Sequence, residues 1–217
     1  MFIIDFDNTL FNTTTDPNNF REFRVRELST LGVGEELYQE TYAQARNEIN
    51  TGRVMYSDER HAEILSRHGF DKEKVLDVLQ KSMGDVLRNF LFSDAIIFLK
   101  KLKQFNQPLI LFSLGDPEFQ YLKVKGCGIE EYFDRVFMTP QPKREVLHEL
   151  LSAVHRKEDI WFINDKAGET LEVCSLFPSI RAVLKVSANS TAEEYTHSGL
   201  PFFNTLTEIY NYISTYE

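Results

Sequence analysis

Residues 1–11 read MFIIDFDNTLF: four apolar residues, then Asp5 and Asp7 separated by Phe6. On a strand, residues i and i+2 project to the same side. The two carboxylates therefore converge at the strand's C-terminal end while Phe6 turns into packing. Like charges that close repel and attract a counter-ion, which argues against a purely structural role. A helix-capping Asp and a calcium loop are the plainer readings. The calcium loop fails in detail, because an EF-hand wants Gly where Leu10 stands and a bidentate Glu where Asp16 stands.

The chain of 217 residues can bury a real core, and its composition (42% hydrophobic, 26% charged, 13% aromatic) is that of an ordinary globular protein. No stretch approaches the roughly 20 apolar residues of a membrane span, and Met1 runs into Phe2 without a basic leader, so a cytoplasmic protein is expected. The formal charge of −9 disfavours nucleic-acid and anionic-membrane partners, and a monomer is the favoured state. Cys127 and Cys174 form no CxxC pair, and the five histidines show no HxxxH or HExxH spacing, so no zinc site is expected.

Strand-length apolar runs recur at 2–4, 109–112, 136–138, 160–163 and 180–184, with helix-like segments between the later ones. That alternation predicts an α/β fold, a Rossmann-like parallel sheet flanked by helices. Residues 12–92 break the rhythm and read as an inserted all-helical domain. Tyr38, Tyr42, Ala45 and Ile49 make one apolar stripe and Val75, Leu79, Val86 and Phe90 another. The expected division is a core of 1–11 and 93–217 and an insertion of 12–92. Ser93-Asp94 is expected to cap the helix that resumes the core. The insertion holds 11 basic and 14 acidic residues, so it is no basic arm.

Three further strand ends carry polar groups. In PLILFSLGDPEF, Ser113 precedes Gly115, Asp116 as a helix N-cap and Pro117 in the first turn, where free backbone N–H groups suit a phosphate oxygen. In TPQPKREVLHELL, Lys143 opens a helix, a place where a cation opposes the helix dipole, although a solvated lysine is the common outcome. In DIWFINDKAGET, Asn164, Asp165 and Glu169 could ligate a metal or simply cap the next helix.

Taken together, two acids, a hydroxyl, a lysine and a further acid follow four apolar strands in that order. The set resembles the haloacid dehalogenase superfamily with a type 1 helical cap. Asp5, Asp7 and Thr9 match its Asp-x-Asp-x-Thr motif, Ser113 its Ser or Thr, Lys143 its lysine, and Asp165 with Glu169 its acidic pair. Leu114, Arg144 and Asn164 depart from residues common in relatives with this cap.

The resemblance implies a magnesium-dependent phosphatase for a small phosphorylated metabolite. A phosphate dianion facing one carboxylate at 4 Å meets about 8 kcal/mol of repulsion at an effective dielectric of about 20, so a divalent cation is required. Asp5, Asp165 and the backbone carbonyl of Asp7 would hold Mg2+, as an all-oxygen set. Asp5 would be the nucleophile and Asp7 the proton carrier. Ser113 and Lys143 would bind phosphate, and Thr9, Asn164 and Glu169 would support them. Dehalogenation needs no proton for its halide, and the family's dehalogenases lack the second Asp, so Asp7 favours phosphoryl transfer. Arg53, at a break in the insertion, could reach an acidic substrate tail. The rival readings are a phosphomutase of the same fold and a catalytically quiet binding or regulatory protein.

Overall fold

The computed structural model describes residues 1–16, 19–46, 56–152 and 159–216. Among these residues six strands form one sheet: β1 (Phe2–Ile4), β2 (Leu109–Leu114), β3 (Arg135–Thr139), β4 (Ile160–Asn164), β5 (Ile180–Lys185) and β6 (Phe202–Phe203). Their order is β3-β2-β1-β4-β5-β6 and every pairing is parallel. The five expected strands are all present. The two-residue β6 was not anticipated, being too short to show a pattern.

Both faces of this sheet are covered, which is why its strands read as unbroken apolar runs. Phe2, Ile4, Leu109, Leu111, Trp161 and Ile163 belong to one core, with helices α5 (Ala95–Lys103) and α10 (Leu206–Ile213) packed there through Phe98, Leu102, Leu206 and Ile209. Ile3, Ile110, Phe112 and Phe162 face the opposite way, against Leu147 of α7 (Lys143–Ser152) and Val173 of α8 (Ala167–Leu176). Two more helices complete the core, α6 (Pro117–Cys127) and α9 (Ala192–His197).

Among the described residues, four α-helices lie between β1 and α5: α1 (Phe20–Ser29), α2 (Glu35–Arg46), α3 (Asp58–Ser66) and α4 (Lys72–Lys81). They share a small core of Leu28, Val33, Tyr38, Ala62, Leu65, Val75 and Leu79. Asn19, Ser57 and Asp71 cap three of them, each side chain accepting a bond from an early helical N–H. The stripe expected through Val75, Leu79, Val86 and Phe90 is divided: α4 ends at Lys81, and Val86 and Phe90 lie in a 3-10 helix, Asp85–Phe90. Leu87 and Phe90 of that turn are buried with the main sheet's core rather than with α4. The chain leaves and re-enters the core side by side, since Asn12 N donates to Phe90 O (2.6 Å) and Phe92 N to Leu10 O (2.9 Å).

Asp94 stands at the N-cap position of α5 but makes no side-chain cap bond, contrary to expectation. Its carboxylate instead accepts from Thr207 N (2.9 Å) and Thr207 Oγ1 (3.0 Å), tying α5 to α10. Ile49 and Arg53 lie outside the described residues. No described helix is long and apolar enough to cross a membrane.

Candidate active site

In a sheet of this order the crevice opens where the strand sequence reverses, between β1 and β4. Asp5 and Asp7 leave the end of β1 there, and Asn164 and Asp165 leave β4 beside them. A tight turn shapes the first loop: Leu10 N and Phe11 N both donate to Phe6 O (2.9 and 3.0 Å). Asn8 takes the left-handed region at φ 60°, which Asn tolerates better than most residues. Its side-chain oxygen accepts from Thr13 N, Thr14 N and Thr14 Oγ1, each at 3.1 Å.

Lys143 is 1% exposed, so the solvated-surface reading is overturned. Its ammonium bonds Asp5 Oδ1 and Asn164 Oδ1 (3.2 Å) and lies 3.3 Å from Glu169 Oε2. Thr9 Oγ1 donates to Asp5 Oδ2 (3.2 Å), and Asn164 Nδ2 donates to Glu169 Oε2 (2.9 Å). The departure at Asn164 thus bridges the lysine and the last acid. Arg144 pairs across the surface with Glu172 at 2.7 Å, and the Leu114 carbonyl accepts from Gln120.

Burial pushes the Asp5 carboxyl up to about 6, with Asp165 and Glu169 adding to the rise and Lys143 opposing it. Burial also raises Asp165. For Glu169 burial is outweighed by Lys143 and Lys166, and its carboxyl lies below its usual range. Three acids therefore crowd one buried ammonium.

Asp7 has a separate set of partners. Lys123 Nζ bonds Asp7 Oδ1, Thr13 Oγ1 donates to the same oxygen (2.8 Å), and Gln120 Nε2 donates to Oδ2 (2.7 Å). Burial alone would raise this carboxyl, but Lys123 together with the Gln120 and Thr13 bonds holds it below the ordinary value. Gln120 Nε2 also reaches Ser113 Oγ at 3.1 Å, so one amide joins the two strand ends. Lys123 and Gln120 were missed in the sequence. Their signal is two polar residues on the buried stripe of α6, shared with Val124 and Cys127.

The donor set fits a hard cation. Asp165 Oδ2 is fixed by Ser187 Oγ (2.9 Å) and Asn189 Nδ2 (2.7 Å), and the Asp165 carbonyl accepts from Tyr195 Oη (2.7 Å). The other carboxylate oxygen, Oδ1, is buried with no partner, an expensive state for an anion unless a cation takes it. Among the described residues no three His, Cys, Asp or Glu side chains form a ready ligand cluster. A carbonyl and waters would therefore complete the shell, as magnesium permits. Lys123, Thr13 and Gln120 engage the Asp7 side-chain oxygens, as Lys143 and Thr9 engage those of Asp5.

The cavity beside these groups holds about 250 Å³, and Asp5, Asp7 and Ser113 line it together with Arg21, Arg24 and Tyr56 from the segment between β1 and α5. No protein-family model matches the chain, and no curated protein matches it by sequence. Solved structures do. L-2-haloacid dehalogenase from Xanthobacter autotrophicus matches at 12% identity and TM-score 0.65, over 99% of this chain and 98% of that one. A Thermotoga maritima protein provisionally assigned as a beta-phosphoglucomutase matches at 16% and 0.66, over 99% and 98%. A magnesium-bound Bacillus subtilis protein, provisionally a HAD hydrolase, matches at 16% and 0.62, over 98% and 97%. The chain shares the fold of these solved structures over nearly all of its length.

Proposed function

We propose that the protein is a magnesium-dependent phosphatase that hydrolyses a small phosphorylated metabolite through an aspartyl-phosphate on Asp5, with the helical insertion 12–92 acting as the cap over the site. The observation that carries the reading is the second carboxylate: Asp7 shares the cavity with Asp5 and is held by Lys123, Gln120 and Thr13. A halide leaves without a proton, whereas an alkoxide needs one.

Asp5, Asp165 and the Asp7 carbonyl would hold magnesium, which supplies the positive charge that lets a phosphate dianion approach a carboxylate. Lys143 adds the fixed ammonium beside the nucleophile, held from behind by Asn164 and Glu169. Ser113 offers a hydroxyl to a phosphoryl oxygen, and its position is set by Gln120. An Asp5 oxygen attacks phosphorus, and the ester P–O bond breaks with its electron pair leaving on oxygen.

Lys123 keeps Asp7 ionised before substrate arrives. A phosphate dianion entering beside it raises its proton affinity, so Asp7 takes up a proton with the ester and passes it to the leaving oxygen. The same carboxylate then removes a proton from the water that attacks the Asp5 acyl-phosphate. The bond from phosphorus to the Asp5 oxygen breaks with its electron pair on that oxygen, so phosphate leaves and the Asp5 carboxylate is regenerated.

The test is phosphate release from p-nitrophenyl phosphate with magnesium, alongside chloride release from chloropropionate. The first is expected and is abolished by Asp5→Asn; the second is expected to be absent. Wild-type phosphate release in Asp5→Asn, or chloride release at a comparable rate, would overturn the assignment.

A further inference from the structure

Arg24 is almost fully buried, 2% exposed, and lines the same cavity as Asp5. Its Nη2 donates to Tyr56 Oη (2.8 Å) and to Asp58 Oδ1 (2.6 Å). Its Nε and Nη1 have no partner, although both are buried. Rings of Phe20, Tyr56 and Phe119 stand 5.3–5.6 Å from the guanidinium carbon. Aromatic contact of that kind stabilises the cation but gives its in-plane N–H groups no acceptor.

A chain of hydrogen bonds fixes this orientation. Thr41 Oγ1 donates to Leu37 O (2.7 Å), so it accepts from His61 Nε2 (3.0 Å). Burial pushes the His61 imidazole down to about 3, with Arg24 acting the same way, so the ring is neutral. His61 Nδ1 then accepts from Tyr56 Oη (2.9 Å), and Tyr56 in turn can only accept from Arg24. Every proton in the relay has one direction, and the relay ends on a cation with two idle donor groups.

Arg21 lies three residues earlier, on the same face of α1. It lines the same cavity, and its buried Nε is also without a partner. Asp58 balances the charge of Arg24, while the charge of Arg21 faces the cavity over the Tyr42 ring at 5.6 Å. Lys143 is bonded to Asp5 and Ser113 stands at the end of β2, whereas Arg21 and Arg24 come from α1 and have no bond to Asp5, Ser113 or Lys143 among the described residues.

We infer that Arg21 and Arg24 form a subsite for a second oxyanion, so that the substrate is a short phosphate monoester carrying a carboxylate or a second phosphate. This rests on the phosphatase reading above. The cavity is below the roughly 300–1,000 Å³ of ordinary ligand sites, which favours a skeleton of a few carbons over a nucleotide.

The test compares phospholactate, propanediol bisphosphate and propyl phosphate as magnesium-dependent substrates. At least one anion-terminated ester is expected to exceed propyl phosphate by about tenfold or more in kcat/KM, mostly through KM, the worth of one charged hydrogen bond. That preference falls towards unity in Arg24→Lys and in Arg21→Gln, the latter serving if Arg24→Lys fails to fold. Calorimetry with phosphonopropionate and propylphosphonate needs no turnover, and the carboxylated ligand is expected to bind more tightly.

Equal kcat/KM for the three esters, or a preference untouched in both variants, overturns the subsite and leaves the phosphatase reading standing. If no ester is turned over yet phosphonopropionate binds more tightly, and Arg21→Gln removes the difference, the phosphatase reading falls and the subsite stands. If no ester is turned over and the two phosphonates bind alike, both fall.

Discussion

Replacing Asp5 should stabilise the protein, and the gain should depend on pH. Asp5 is buried and its carboxyl is pushed from 3.8 up to about 6. A carboxyl that holds its proton more tightly when folded gives the folded state the greater proton count between about pH 4 and pH 6, so stability falls as pH climbs through that window. Above it the whole cost is present, about 3 kcal/mol at 1.36 kcal/mol per pKa unit.

Asparagine cannot ionise, and Lys143 keeps Glu169 and Asn164 as partners. In EDTA at pH 8, Asp5→Asn is therefore expected to melt roughly 6–12 °C above wild type, using about 2–4 °C per kcal/mol for a chain of this size. At pH 4 the two should melt together. Magnesium should narrow the gap at pH 8, because it stabilises the form that binds it. Circular dichroism melts at the two pH values, with and without magnesium, measure all of this. A variant that melts at or below wild type at pH 8, or one whose advantage is the same at pH 4, refutes the electrostatic account of the site.

Lys123→Met strips Asp7 of its buried cation. It should cost about 3–5 kcal/mol at pH 7 by urea unfolding, with a smaller loss at low pH, because a depressed carboxyl gives up its stabilisation as pH falls through its folded pKa. Gly115→Ala should cut turnover well beyond its effect on stability. Gly115 sits at φ +151°, and an added Cβ would meet Gln120 Cγ and Nε2 at 3.0 Å, displacing the amide that links Asp7 to Ser113. Tyr195→Phe removes the hydroxyl that donates to the Asp165 carbonyl and accepts from Ser187 N. Magnesium activation should then need about 10–100 times more metal, read from a titration of rate against magnesium.

The sheet was legible because strands buried on both faces are apolar at every position, and a run such as Trp161-Phe162-Ile163 needs no alternation to be recognised. Asp5 and Asp7 stood out for a related reason, since two like charges placed abruptly after such a run have few structural uses; Ser113, Lys143 and Asp165 read singly as turn, surface and capping residues and stood out only as a set that resembles a family. What stayed hidden comes from helices and distant loops. Lys123 shares its stripe with Val124 and Cys127, and a lysine there is usually a stem lying along the core with its head in water. Arg24 follows the same pattern with Phe20 and Leu28. Ser187 and Asn189 reach Asp165 from a loop beyond β5, across 22 and 24 residues, and no periodicity marks such a contact. The stripe through Val86 failed because period alone cannot tell a continuing helix from a fresh turn after Ser82 and Gly84.

Thr13 gives the loop after β1 a mechanical meaning. Its hydroxyl is bonded to Asp7, and its carbonyl receives the N–H of Arg21 in the first turn of α1. One residue thus links the Asp7 carboxylate, the proposed proton carrier, to the helix that carries Arg21 and Arg24. With Phe20 N donating to Asn12 O next to it, the first turn of α1 is tied to the loop that carries Asp7, so a shift of α1 against the sheet is expected to register at the Asp7 carboxylate.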